Sequence, residues 1–255
     1  MPLEIVTIPC LSDNYAFLAH DAASGDTALV DAPEAAPILS ELDARGWRLS
    51  HVLITHHHAD HVQALDEIRA THPAPVTGNA ADAARLPALD LAVNDGDTIT
   101  IGSDVGHVMD VSGHTVGHIA FHFPDSQVVF TADSLMALGC GRVFEGTHPQ
   151  MWASLSKLAA LPPETLVCSG HEYTQANGAF ALTIEPDNPD LTSRVRDIAA
   201  AREKGEPTVP SLLSLELATN PFLRAGQPTL QRAIGMEGAD SAAVFAEVRS
   251  RKDRF

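Results

Sequence analysis

The sequence has only three cysteines, Cys10, Cys140 and Cys168, and no two of them share a C-x-x-C spacing. An odd, scattered set excludes a disulfide framework and reads as reduced thiols. No apolar run approaches the length of a membrane span, so no membrane partner is expected. Met1 to Cys10 lacks a basic start and a long apolar stretch, so no secretory signal is expected and the expected location is the cytoplasm. Cations are scarce as well: 16 Lys and Arg stand against 33 Asp and Glu, for a net charge of −17. A field of that sign repels nucleic acid phosphates, which argues against a nucleic-acid partner. An anionic small substrate would need a local basic patch. The chain has one at its end, where Arg249, Arg251, Lys252 and Arg254 cluster.

Tyrosine and tryptophan number two each, whereas histidine reaches 13. Histidine at that density calls for a search for metal-ligand spacing. The rest of the composition is ordinary: 255 residues, 45% hydrophobic, enough for one large domain or a domain with an appendage.

The first two-thirds alternates strand-like and helical patterns. Strands rich in Val, Ile, Thr and Phe are expected at Leu3–Ile8, Tyr15–Ala19, Thr27–Val30, His51–Ile54, Thr98–Ile101, Val105–Val111, His118–Phe123, Gln127–Phe130 and Thr165–Cys168. Helices are expected at Glu34–Arg45, with Gly46 as its stop, at Val62–Thr71 and at Met151–Ala160. Beyond about Glu172 the strand signal fades. Asp190–Lys204, Ser211–Ala218, Thr229–Gly235 and Ser241–Arg251 read as helices punctuated by prolines. The expected organisation is an α/β catalytic domain over residues 1–172 and an all-helical domain over 173–255.

The strongest segment is Thr55-His56-His57-His58-Ala59-Asp60-His61, directly after the strand His51–Ile54. Residues two apart in extended backbone point the same way, so His56 and His58 reach one point and His57 faces away. Asp60 and His61 sit where the next helix begins and face a second point. Three more candidates each lie just beyond a strand: His114 in Ser112-Gly113-His114-Thr115, Asp133 in Thr131-Ala132-Asp133-Ser134, and His171 in Ser169-Gly170-His171-Glu172. Residues past strand ends of a layered α/β domain converge at one edge, where such folds carry their sites. Imidazole and carboxylate are ligands of borderline-hard divalent metals. Two metals about 3.5 Å apart need a bridge, which a carboxylate supplies and an imidazole does not. Asp133 is the natural bridge. One metal then takes His56, His58 and His114, and the other Asp60, His61 and His171. Asp31, closing the strand Thr27–Val30, is either a carboxylate behind the ligands or a turn residue. His118 either supports a ligand or packs.

With these residues in view, the sequence resembles the metallo-β-lactamase superfamily and, more closely, glyoxalase II, the hydroxyacylglutathione hydrolase family. The H-x-H-x-D-H run, Ser112–Thr115, Asp133 and Gly170-His171-Glu172-Tyr173-Thr174 carry the broader likeness. Gly139–Thr147, Gly205–Ser211, Asn220-Pro221-Phe222-Leu223-Arg224 and Arg249–Asp253 narrow it. The resemblance implies an αββα sandwich followed by a helical domain, and hydrolysis of S-(2-hydroxyacyl)glutathione, above all S-D-lactoylglutathione, to glutathione and D-lactate. It implies glutathione contacts at Arg142, Phe144, Tyr173, Arg249 and Lys252. Arg142 stands where lysine is common, and Phe144 where tyrosine is common. The partner it implies is a small-molecule glutathione thioester, and the chain is expected to act as a monomer.

The expected chemistry follows. Two divalent ions, with zinc expected and iron or manganese also suited, lower the pKa of a bridging water, and the hydroxide attacks the thioester carbonyl. Asp60 and Asp133 are the carboxylates closest to that step. The thiol that leaves has a pKa of about 8.5, so it departs without a dedicated acid. Competing readings are a one-iron glutathione persulfide dioxygenase, a β-lactamase, a phosphodiesterase or nuclease, and a metal-binding module without catalysis. The complete second ligand set and the helical tail argue against the first, and the acid balance against a nuclease.

Overall fold

Strands fill the first part of the chain because its apolar residues recur at period two or run unbroken. In a computed structural model describing all 255 residues, they pair into two sheets. The chain divides into two compact units, Met1–Asp110 with Val116–Ala132, and Val111–Thr115 with Asp133–Phe255.

The first unit contains β1 (Glu4–Cys10), β2 (Asn14–His20), β3 (Thr27–Val30), α1 (Ala35–Arg45), β4 (His51–Leu53), α2 (Ala59–Val62), α3 (Leu65–Thr71), β5 (Val76–Asn79), β6 (Leu91–Val93), β7 (Thr98–Ile101), β8 (Asp104–Asp110), β9 (Ile119–Phe123) and β10 (Val128–Ala132). The first sheet runs β1-β2-β3-β4-β5-β6. Its first three strands are antiparallel, and β3 to β6 are parallel. The strands β7 to β10 pair antiparallel in a second sheet. Alternation along β2 sorts the two faces. Ala16 and Leu18 join a core with Leu29, Val52, Ile54 and Val76, covered by Ile38 and Leu42 of α1 and Leu65 and Ile68 of α3. Phe17 turns the other way and packs on Phe130 of the second sheet, ring centroids 5.7 Å apart. Burying each such side chain is worth roughly 1.5–3 kcal/mol. Both β9 and β10 are buried at every position, which is why they are mostly apolar, broken only by His122 and Thr131.

The second unit contains β11 (Leu135–Met136), β12 (Gly139–Cys140), α4 (His148–Ala159), β13 (Leu166–Ser169), α5 (Thr174–Ile184), α6 (Pro189–Glu203), β14 (Ser211–Leu212), α7 (Leu213–Thr219), α8 (Pro228–Ala233) and α9 (Ser241–Arg254). Three of its six helices start at side-chain caps: Thr147 and Gln150 form a capping box on α4, Asn188 caps α6 and Asp240 caps α9. The rings of Phe180, Phe222, Phe245 and Trp152 meet in sequence, the first pair stacked, the second edge-on and the third tilted. No helix is long and apolar enough to cross a membrane.

Several expectations shift. The helix read at Val62–Thr71 is two pieces, because Ala64 N donates to Ala32 O and interrupts the ladder; α2 begins at Ala59, so Asp60 and His61 lie in its first turn. Gly46 closes α1 with φ 68°, as a left-handed stop requires. The segment read as a helix from Ser211 starts with β14, whose Ser211 and Leu212 pair with Val167 and Leu166, and only Leu213–Thr219 is helical. The strands β5 and β6 and the helix α5 had no clear pattern in the sequence. Strand β5 is four residues with a glycine in it, and α5 exposes Ala176 and Ala179 while burying Thr174 and Asn177, which blurs any polar stripe. All three cysteines are free and buried.

Candidate metal centre

In the first unit the chain leaves β4 at Thr55, and Asp31 receives it. Asp31 adopts φ 59°, a left-handed conformation that aspartate tolerates. Its Oδ1 accepts from Thr55 N at 2.9 Å and its Oδ2 from Thr55 Oγ1 at 2.8 Å. The same Oδ2 lies 2.8 Å from His61 Nδ1. A carboxylate accepts only, so His61 carries its proton on Nδ1 and presents Nε2 as the coordinating nitrogen. The Thr55 hydroxyl has spent its hydrogen on Asp31, so it accepts from His56 Nδ1 at 3.0 Å. His56 therefore also presents Nε2, which faces His58 Nδ1 at 3.1 Å. His118, buried, lies flat against His56 with centroids 4.6 Å apart. Asp60 Oδ2 accepts from Asn14 Nδ2 at 3.0 Å and stands 3.8 Å from His61 Nε2. His57 turns away: its Nδ1 is 3.1 Å from the buried carboxylate of Asp82, and Arg85 reaches its Nε2. Asn14 and Asp82 were missed in the sequence, since neither lies near the histidine run along the chain.

The second unit brings His114, Asp133 and His171 together. His114 Nε2 lies 3.4 Å from Asp133 Oδ2, and His171 Nε2 lies 3.3 Å from Asp133 Oδ1. One carboxylate thus meets one imidazole on each oxygen. His114 Nδ1 donates to Arg142 O at 2.7 Å, so its Nε2 carries a lone pair toward an acceptor oxygen. Two acceptors face to face suit a cation between them, and the donor set is one that divalent metals take. Histidine and carboxylate groups of this chain are of the kind that hold a divalent metal ion.

The remaining residues singled out in the sequence also lie in the second unit. The half-exposed Tyr173 ring lies parallel to His171 at 4.7 Å, and the exposed Phe144 ring sits 5.3 Å from His114. A side chain on Gly141 would meet Asp133 O at 1.9 Å, so only glycine lets the segment pass between them. Arg142 is largely exposed, with Nε 3.8 Å from Asp253. Lys252 Nζ donates to Ala176 O at 3.2 Å above the rings of Phe180 and Phe255. Burial, with Arg249 and Arg142 nearby, holds its pKa below the usual lysine range. Arg249 differs from the solvent-facing cation its neighbours in the sequence suggest. It is buried, donates to Cys140 O at 3.0 Å and to Asp253 at 2.9 Å, and covers the Phe222 ring.

A family model for the metallo-β-lactamase superfamily matches residues 15–171, and one for the hydroxyacylglutathione hydrolase C-terminus matches residues 172–255. The chain belongs to the hydroxyacylglutathione hydrolase family. Members of this family from Ruegeria pomeroyi and Cereibacter sphaeroides are 67% and 63% identical over 255 residues, each alignment covering 100% of both chains. Among solved structures, ETHE1 from Myxococcus xanthus is 26% identical with a TM-score of 0.66, over 99% of this chain and 98% of that one. The BLEG-1 B3 metallo-β-lactamase, 21% identical with a TM-score of 0.66 over 86% of this chain and 99% of that one, shares the fold. The chain is thus a hydroxyacylglutathione hydrolase-family enzyme with the metallo-β-lactamase α/β sandwich and a helical C-terminal part.

Proposed function

We propose that this protein hydrolyses S-(2-hydroxyacyl)glutathione, S-D-lactoylglutathione above all, to glutathione and D-lactate in the cytoplasm, acting as a monomer. Its cofactor is two divalent metal ions, zinc first, with iron or manganese also suited to the donors. One ion is assigned to His56, His58 and His114 and the other to Asp60, His61 and His171, with Asp133 shared. The observation that carries this is Asp133 with an imidazole Nε2 at each of its two oxygens. When bound, the ions supply a water of lowered pKa and polarise the thioester carbonyl.

The chain's own residues do the rest. Asp60, held by Asn14, orients the attacking water. Asp31 and Thr55 fix the tautomers of His61 and His56. Arg142 and Lys252 receive the glutathione carboxylates, Phe144 and Tyr173 flank the thioester, and Arg249 supports them from beneath through Cys140 O. The glutathione thiolate leaves with a pKa of about 8.5 and needs no proton donor. Functionally the chain divides at 172/173, the catalytic donors lying before it and most of the glutathione contacts after it.

The test is turnover of S-D-lactoylglutathione by metal-replete protein, followed as free thiol released, with ions per chain from elemental analysis. Efficient release with two ions is expected. Inactivity on this thioester alongside turnover of another ester overturns the substrate, and full activity with one ion overturns the paired-metal assignment.

A further inference from the structure

The stretch Asn220–Arg224 distinguishes this sequence, yet nothing in the proposed chemistry uses it. Its first residue lies inside the turn between β11 and β12. Asn220 is fully buried. Its Nδ2 donates to Met136 O at 3.1 Å and to Gly139 O at 3.0 Å, and its Oδ1 accepts from Phe222 N at 3.0 Å. Glu216, also fully buried, takes Leu138 N on Oε2 at 2.8 Å. Asn177 donates to Ala137 O at 3.1 Å. Three side chains thus engage a backbone group of every residue from Met136 to Gly139, in a turn where Leu138 holds φ 54°. A two-stranded turn this short has little stability of its own, so these bonds set its shape.

The ends of the turn are the metal-facing groups. Asp133 lies just before β11. Just after β12, Gly141 N returns to Ser134 O at 3.1 Å, and Arg142 O takes the His114 Nδ1 proton at 2.7 Å. We propose that Asn220, with Asn177 beside it, is a positioning residue: by fixing the Leu135–Cys140 turn it aims the Arg142 carbonyl that orients His114 toward Asp133. This rests on the metal part of the function proposed above. Groups behind a metal ligand change affinity or activity by about 10–100-fold when removed.

The experiment compares Asn220→Ala with Leu230→Ala, a cavity control in α8, both checked for folding by circular dichroism and melting temperature. Zinc affinity is read by chelator competition with no thioester present, and the His114 Nδ1 proton by NMR with and without zinc. For Asn220→Ala, a loss of about tenfold or more in zinc affinity and a shifted or exchange-broadened His114 proton are expected. The control is to keep both readouts despite its lower melting temperature. Wild-type affinity with an unmoved His114 proton in Asn220→Ala overturns the proposal, as does an equal affinity loss in the control. If Asn220→Ala does not fold, Asn177→Ala is read the same way, with a smaller loss expected and an unchanged one overturning it. A wild type that binds zinc but leaves the thioester intact overturns the function alone, because neither readout here uses substrate.

Discussion

The Asp31 carboxylate binds His61 and Thr55 at once: its Oδ2 lies 2.8 Å from His61 Nδ1 and 2.8 Å from Thr55 Oγ1. One acidic group thereby sets the protonation of two ring systems, His61 directly and His56 through the threonine hydroxyl. Asp31→Asn keeps the size but offers a donor where an acceptor is required. It is expected to weaken zinc binding by about 10–100-fold and to lower kcat, as chelator competition and steady-state rates on the same preparation will show.

Asp133→Ala removes the carboxylate that faces both His114 and His171. Metal content is expected to fall from about two ions per chain to below one, with activity lost in parallel. Retention of both ions in elemental analysis contradicts the shared-carboxylate assignment.

The two C-terminal cations are expected to respond differently. Lys252→Ala leaves the fold intact and raises KM, with kcat close to wild type. Arg249→Ala strands the buried Cys140 carbonyl, at a cost of about 1–3 kcal/mol, so its main effect is a lower urea midpoint.

A pH dependence follows from Lys252, whose pKa is depressed below 10.5 first by burial and then by Arg249 and Arg142. In the role proposed for Lys252 the charged form receives a glutathione carboxylate, and that form persists below the folded pKa. Its contribution is therefore lost as pH rises through that lowered value, before an ordinary lysine titrates. KM is expected to climb in that alkaline range. Lys252→Arg, charged throughout, removes the climb, as rates corrected for spontaneous hydrolysis will test.

Phe144 places an exposed ring 5.3 Å from His114 without a hydroxyl. Phe144→Tyr adds one hydrogen-bonding group at that rim. A drop in KM of about fivefold is expected, the equivalent of about 1 kcal/mol for one net hydrogen bond.

Much of the centre was legible because it obeys local rules. His56 and His58 lie two apart in an extended segment, and His114, Asp133 and His171 each follow a strand. Asp31 was visible as a candidate, though only the fold shows which groups its oxygens serve. Asn14 and Asp82 were not legible, since their partners lie 46 and 25 residues away along the chain. The basic tail misled in one respect. Arg249 and Lys252 are three residues apart and look alike in sequence, but helix α9 buries the guanidinium of Arg249 against Cys140 while Lys252 reaches Ala176. In the fold, α5 escaped notice because its exposed face carries Ala176 and Ala179 and its buried face Thr174 and Asn177, which leaves little amphipathic signature.

The burial of the three thiols bears on the product the enzyme makes. Burial pushes Cys10 up to about 12 and Cys140 up to about 11, and raises Cys168 as well. At neutral pH less than about one Cys140 in a thousand is ionised, and only the thiolate attacks a disulfide. A catalyst that releases glutathione at its own surface therefore carries no nucleophile able to trade sulfur with oxidised glutathione, and its output leaves it chemically unmarked.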